Sequence, residues 1–432
     1  MTALADGYEA FILDLDGVVY RGDEPVPGAA EAITALRERG RRIVFLTNNS
    51  ARTPEMVAEK LARLRISSDP EEVVTSAQAA ATLVADTVGL PATAFVIGEE
   101  GVRRALTEAG LEVLDGRPDR ADVVVVGWDR GADYDKLRRA ALLVQRGARL
   151  VATNADASYP APGGELWPGA GALLASVETT TGARAEVAGK PHRPLFDEAV
   201  RRAKTSRALV VGDRIETDVE GAVRSGLDAA LVLSGAAGPG DLLDAGALPV
   251  AVLEDLGGVL AERPAARVRE AGSGDRDRAA ALVRSAGLEV IPDDAESGRI
   301  FVAQDEDEEL LATAACERQG SEAYLRSVAV RDDLRGSGLG TLVVAAAAQA
   351  AADDGVERLF LYTRDATTFF GRLGFEALDA SQAPRWIAEG ESARYCGEDA
   401  TLMHRRLRAP GSSGDRTGQY SRYAVWGRPR PR

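Results

Sequence analysis

Histidine and cysteine are nearly absent: the chain of 432 residues has two of each. His192 and His404 lie far apart, as do Cys316 and Cys396, and no Cys-x-x-Cys or His-x-x-x-His spacing occurs. A structural zinc site and a disulfide framework are thereby excluded. A Ser-His-Asp triad would have to draw on one of these two histidines, and no Gly-x-Ser-x-Gly elbow presents a serine. The start, Met1-Thr-Ala-Leu-Ala-Asp-Gly, has no basic segment followed by an apolar one. No run approaches the roughly 18 apolar residues of a membrane helix. A cytoplasmic protein with no membrane partner is expected. Lysine is scarce too: only Lys60, Lys136, Lys190 and Lys204 occur, and the other basic residues are arginine.

Acidic residues are what the chain has in excess, 67 Asp+Glu against 52 Lys+Arg, for a net charge of −15. Nucleic acid is excluded as the main partner, because phosphate contacts need a cationic face. Any catalysis falls to carboxylates. The composition, 45% hydrophobic and 28% charged, is that of a globular protein, and at roughly 150 residues per domain the length suggests about three units. A homo-oligomer is kept open.

From residue 8 to about 262, short apolar runs alternate with amphipathic stretches, the pattern of βαβ units around a parallel sheet. Strands are predicted at 10–15, 42–46, 208–211 and 229–233. A second series, at 94–97, 122–126 and 150–153, lies between Ser76 and Arg184 as an inserted domain. The rhythm breaks around Ala261-Glu-Arg-Pro-Ala-Ala-Arg267. After it come a helix at 275–286 and strands at 300–304, 309–317 and 323–330, with Asp305-Glu-Asp-Glu-Glu309 as a solvated hairpin tip. The reading is an α/β chain. Residues 1–76 and 185–262 form a parallel-sheet core, 77–184 an inserted α/β cap, 263–267 a linker and 268–408 an α+β domain. Residues 409–432 hold five arginines and one aspartate among Gly, Pro and Ser, and a disordered basic tail is expected there.

Asp14-Leu-Asp16-Gly17 ends the first strand, so two carboxylates can approach one ligand above the sheet's carboxyl edge. Thr47-Asn48-Asn49-Ser50 follows the second strand with hydroxyl, amide and N–H donors. Gly189-Lys190-Pro191 supplies a compact positive charge. Gly212-Asp213-Arg-Ile-Glu-Thr-Asp218 adds two further carboxylates. Oxygen ligands with few nitrogens favour Mg²⁺. These four motifs, in this order, resemble those of haloacid dehalogenase-type (HAD) phosphatases, and the resemblance spans about residues 8–260. The large insert before the lysine resembles class IIA members, which act on phosphoglycolate, pyridoxal phosphate, nucleotides and glycerol 3-phosphate. The resemblance implies a Rossmann-like HAD core. It implies Asp14 as nucleophile forming an aspartyl-phosphate, and Asp16 as general acid and base. Mg²⁺ would be held by Asp14, Asp213 and the Asp16 carbonyl and steadied by Asp218. Thr47, Asn48 and Lys190 would bind the phosphoryl oxygens.

The cap would then choose the leaving group. Asn154 and Asp156, in a loop before Trp167-Pro-Gly169-Ala-Gly171, are candidates to face substrate. Phrases such as Val73-Val-Thr-Ser-Ala-Gln78 look closest to bacterial glycerol 3-phosphate phosphatases, which makes that ester the expected substrate. Phosphoglycolate, pyridoxal phosphate and nucleotides remain alternatives, and Trp128, Tyr159 and Trp167 keep the pyridoxal one open.

In the third unit, Val328-Ala-Val330-Arg-Asp-Asp-Leu-Arg335-Gly336-Ser-Gly338-Leu-Gly340 is a strand, a glycine-rich turn and a helix start. Its spacing differs from Gly-x-Gly-x-x-Gly and resembles the Arg/Gln-x-x-Gly-x-Gly/Ala signature of GNAT acetyltransferases. The resemblance covers about 267–408 and implies acetyl-CoA as cofactor. Arg335, Gly336, Gly338 and Gly340 would cradle its pyrophosphate, Val328 and Val330 would line its pantetheine arm, and a small amine or amino acid would accept the acetyl group. Phe370 stands where many members carry the general-acid tyrosine. Tyr362 and Cys396 are substitutes, and Glu317 is a candidate base. The alternative class is a protein in which this half is primary, as a small-amine N-acetyltransferase or an acetyl-CoA sensor.

Overall fold

The structure is a computed structural model that describes residues 3–160, 165–288, 298–390 and 399–408. The expected tail at 409–432, and Cys396, lie outside the described residues. The strands of the first sheet are short apolar runs, as a parallel sheet covered by helices on both faces requires. In spatial order they are Ala251–Leu253, Asp228–Val232, Ala208–Gly212, Ala10–Asp14, Arg42–Thr47 and Val73–Thr75, all parallel. Helix Ala29–Glu38 buries Ala29, Ala32, Ile33 and Leu36 against one face. Helix Arg193–Ala203 buries Leu195, Phe196 and Ala199 against the other. The chain leaves the central strand Ala10–Asp14 toward Arg42–Thr47 and later returns on its opposite side at Ala208–Gly212. That reversal opens a crevice at the strands' carboxyl ends.

The insert carries its own parallel sheet, ordered Glu186–Val187, Arg149–Ala152, Val123–Val126, Thr93–Ile97 and Glu112–Leu114. A hairpin pairs Ser158–Pro160 with Leu166–Pro168. The boundary expected at residue 184 differs from the pairing: Glu186 and Val187 lie opposite Val151 and Ala152. A two-residue strand has no alternation for a pattern to reveal.

The last unit is a seven-stranded sheet in the order Arg267–Glu270, Gly298–Gln304, Leu310–Gln319, Glu322–Val330, Arg358–Thr363, Thr401–Arg406 and Glu376–Ala377. Only Glu322–Val330 and Arg358–Thr363 are parallel neighbours. Arg267, expected in the linker, already pairs with Gln304; a composition break marks where one unit stops, not where pairing resumes. The acidic turn at 305–309 joins two antiparallel strands, and Asp305 accepts the N–H groups of Asp307 and Glu309.

Helix Leu339–Asp353 buries thirteen of its fifteen residues, as a helix apolar on every side must. One side packs on its own sheet, and the other meets the first unit, where buried Gln349 donates from Nε2 to the Leu242 carbonyl at 2.6 Å. Arg405 reinforces this junction, with Nη2 2.9 Å from Asp244 and Nη1 donating to the Leu373 carbonyl. Arg267 places Nη2 2.9 Å from both oxygens of Asp228. One continuous apolar cluster therefore includes Ile12, Val125, Leu242 and Ala348. Among the described residues no helix is long and apolar enough to cross a membrane.

Candidate active site

The central strand delivers Asp14 to the crevice and then turns sharply. Gly17 has φ +85°, and a Cβ on it would fall 2.3 Å from Asp213 Oδ2, so this turn admits only glycine without strain. Asp14, Asp213 and Asp218 each offer a carboxylate oxygen, and these oxygens lie within 4.8 Å of one another. Lys190 joins them, its Nζ 2.5 Å from Asp14 Oδ1 and 2.5 Å from Asp218 Oδ1. All four residues are at most 9% exposed. One buried ammonium thus faces three buried carboxylates. Burial pushes the Asp14 carboxyl up to about 8, against the pull of Lys190 and with the help of Asp218 and Asp213. Burial also raises Asp213, and Asp218 adds to it. Burial alone would lower Lys190, but Asp14 and Asp218 hold it above its ordinary value. The surplus negative charge and the all-oxygen donor set fit one hard divalent cation such as Mg²⁺.

Above this cluster is a cavity of about 140 Å³. Its core side carries Asp14, Asp16, Thr47, Asn48 and Lys190, and its cap side Trp128, Asp156 and Tyr159. Trp128 and Tyr159 stack with ring centroids 4.1 Å apart, and Trp128 Nε1 donates to the Pro168 carbonyl at 3.0 Å. The Asn48 amide binds within the core and, with Asn154, ties core to cap. Asn48 Oδ1 accepts the Lys190 N–H at 2.8 Å, Asn48 Nδ2 donates to Asp156 Oδ2 at 3.2 Å, and Asn154 Nδ2 donates to the Asn48 carbonyl at 2.7 Å. Asp16 is exposed to this cavity. The protein around it raises its carboxyl by burial, which Lys60 opposes.

The predicted residues therefore converge: Asp14, Asp16, Thr47, Asn48 and Lys190 share the cavity, with Asp213 and Asp218 gathered at Asp14. Asn154 and Asp156 line it too. His192 stands at the N-cap of helix Arg193–Ala203, outside the lining of the cavity. Sequence reasoning missed Tyr20, Arg214, Thr217 and Lys60. Arg214 and Thr217 lay inside the quoted Asp213–Asp218 motif and carried a signal. Lys60 and Tyr20 meet only in the fold, with Nζ 3.6 Å from the ring centroid.

A second cleft gathers Val328, Val330, Arg335, Gly336, Gly338 and Gly340. Strands Glu322–Val330 and Arg358–Thr363 pair only from Glu322 to Tyr324. Beyond that they part, because an extra residue bulges the first strand against Leu310–Gln319 and Ser327 takes φ +53°. The backbone around Val328 and Val330 thus faces the cleft without a strand partner on that side. Gly338 caps the helix at φ +86°, and a Cβ there would meet the Val252 carbonyl at 2.7 Å, so its small size serves the domain junction as well as the turn. Phe370 is buried among Phe369 and Phe375. Arg326 Nε engages Glu317 at 2.5 Å. Burial pushes the Cys316 thiol up to about 12.

Residues 11–112 match the haloacid dehalogenase-like hydrolase family, residues 187–259 a second HAD-hydrolase-like model, and residues 275–375 the acetyltransferase (GNAT) family. D-glycerol 3-phosphate phosphatase of Mycobacterium tuberculosis is 39% identical over 235 residues, 54% of this chain and 65% of that protein, just under two thirds of its length. The acid sugar phosphatase of Staphylococcus haemolyticus is 37% identical over 257 residues, 59% of this chain and 96% of that one. A 5'-nucleotidase of Bacillus subtilis is 39% identical over 53% of this chain and 88% of its own length. The crystal structure of a glycerol phosphate phosphatase from Mycobacterium tuberculosis with magnesium superposes with TM-score 0.66 at 29% identity, covering 87% of this chain and 98% of that one. With the four motifs gathered at one carboxylate centre, these matches place the chain among the phosphatases of the haloacid dehalogenase-like hydrolase family, with a GNAT-family domain at its C-terminal end.

Proposed function

We propose that the chain hydrolyses a small polyol phosphate, glycerol 3-phosphate above others, through a phosphorylated Asp14. A carboxylate oxygen of Asp14 attacks phosphorus in line, forming the acyl phosphate as the ester oxygen departs. Asp16 gives that oxygen its proton, then takes one from the water that cleaves the acyl phosphate, releasing phosphate and restoring Asp14. Lys190, Thr47 and Asn48 hold the phosphoryl oxygens while charge shifts among them. Asp14, Asp213 and the Asp16 carbonyl would hold Mg²⁺, with Asp218 steadying the set; bound there, the ion supplies positive charge to the phosphoryl group. The observation that carries this reading is Lys190 clamped between Asp14 and Asp218 beneath a capped cavity. At about 140 Å³ the space is well under the roughly 300 Å³ at which pockets begin to take drug-sized ligands. Such a volume favours a three-carbon ester over pyridoxal phosphate or a nucleotide, although the Trp128–Tyr159 stack offers a flat ring a wall. Steady-state kinetics with Mg²⁺ on glycerol 3-phosphate, phosphoglycolate, pyridoxal phosphate and nucleoside monophosphates test this, and negligible turnover of the first overturns it.

We infer that the C-terminal domain binds acetyl-CoA. The parted strands and the glycine turn support binding. Phe370 carries no acidic proton where many members carry the tyrosine, and Glu317 is ion-paired with Arg326, which favours a binding role over acetylation of a small amine or amino acid. Calorimetry with acetyl-CoA tests it; absence of both heat and thermal stabilisation overturns it.

A further inference from the structure

The second cleft belongs to both halves of the chain. It encloses about 510 Å³; Leu233, Val252 and Glu254 line its phosphatase side, and Arg263 of the linker stands beside them. Arg263 Nη1 donates to the Val252 carbonyl at 3.4 Å and to the Ser337 carbonyl at 3.2 Å, joining the phosphatase sheet to the glycine turn. Arg263 is only partly exposed and has no ion-pair partner among the described residues; nearby Glu254 pairs with Arg372 at 3.3 Å instead. Arg263 feels the charge of Glu254 in the same cleft, but a partly desolvated guanidinium with no carboxylate in contact is a receptor for a phosphate, which it can grip through its remaining donors.

The same cleft leads to the catalytic centre through one short segment. Leu233, at the cleft, donates its N–H to the Leu253 carbonyl at 2.8 Å. Ser234 Oγ then donates to the Gly17 carbonyl at 2.6 Å. The Ala236 N–H donates to Asp213 Oδ2 at 2.7 Å, and the Ala237 N–H to the Asp213 carbonyl at 3.1 Å. Pro239 returns to the cleft wall. Seven residues thus touch one site, grip a carboxylate of the other and come back.

We propose that the phosphatase half and the linker complete the coenzyme A thioester site, the linker's Arg263 meeting the ligand's phosphates, and that residues 233–239 transmit its occupancy to Asp213. This rests on the reading of the C-terminal domain as an acetyl-CoA binder. Binding at the two sites is then reciprocal, each ligand changing the other's affinity by the same factor.

The full chain is titrated calorimetrically with acetyl-CoA and with acetyl-pantetheine, which lacks the phosphates. Arg263→Met is expected to weaken acetyl-CoA by about tenfold or more and to leave acetyl-pantetheine and unliganded phosphatase turnover unchanged. Arg263→Lys, which keeps the charge, is expected to recover part of the affinity. Saturating Mg²⁺ with inorganic phosphate is expected to shift the acetyl-CoA Kd by about threefold or more. Wild-type affinity in Arg263→Met, equal losses for both thioesters, or a Kd indifferent to Mg²⁺ and phosphate overturns the inference while leaving the acetyl-CoA reading intact. A wild-type chain that binds no acetyl-CoA overturns that reading, and this inference with it.

Discussion

Replacing Lys190 by Met keeps much of the side chain's bulk and removes, among the described residues, the only side-chain cation in contact with Asp14 and Asp218. Its two contacts, each 2.5 Å long, amount to about 6–7 kcal/mol apiece at an effective dielectric constant of about 20. Desolvating a lysine with 5% of its side chain exposed offsets most of that sum. What survives when one partner of such a pair is deleted is about 3–5 kcal/mol, because the remaining charges stay buried and unpaired. Urea denaturation in EDTA is therefore expected to show the variant destabilised by about that amount. With saturating Mg²⁺ the loss is expected to shrink to under about 2 kcal/mol, since a divalent cation supplies the missing charge and binds only the folded chain. Turnover is expected to stay at least about a hundredfold below wild type even then, because the phosphoryl oxygens have lost a donor that the metal does not replace. A loss under about 1 kcal/mol in EDTA, or one equal with and without Mg²⁺, would refute the view that Lys190 offsets a carboxylate surplus.

Asp14→Asn is expected to cut turnover by about ten-thousandfold or more with far-UV circular dichroism unchanged; residual activity above about one per cent would falsify the nucleophile assignment. Trp128→Ala widens the capped cavity, so kcat/KM for glycerol 3-phosphate should fall while that for pyridoxal phosphate holds or rises, and a parallel fall in both would contradict a size-limited pocket. Gly17→Ala should fold poorly or lose Mg²⁺ affinity by titration, since its Cβ and Asp213 cannot both keep their places. Arg405→Ala should cost about 1.5–3 kcal/mol in urea denaturation and speed proteolysis at residues 261–266; stability within about 0.5 kcal/mol of wild type would mean that the Asp244 contact does not hold the junction.

The convergence of the carboxylates was legible because their segments follow apolar strands, and parallel strands of one sheet deliver their ends to one edge. Spacing within Asp14–Asp16 and Asp213–Asp218, together with the order of the four segments, sufficed. The cap wall was less legible: Trp128 and Tyr159 come from different segments, and only folding stacks them. Lys60 beside Tyr20 was invisible for the same reason. The glycine run was legible as a turn into a helix, but Gly338 also lies against Val252, and no local pattern announces a contact with a residue of another domain. The strand Glu186–Val187 escaped because two residues hold no periodicity.

The helix Leu339–Asp353 has no solvent face to return to. Cut at the linker, the C-terminal domain would present its alanine-rich flank to water, and the phosphatase would expose Leu242 and Val252, which that flank covers. The halves are thus unequal to separately stored modules: expressed apart, each would carry a sticky scar. An engineer wanting the phosphatase alone would first have to repaint that surface with charge.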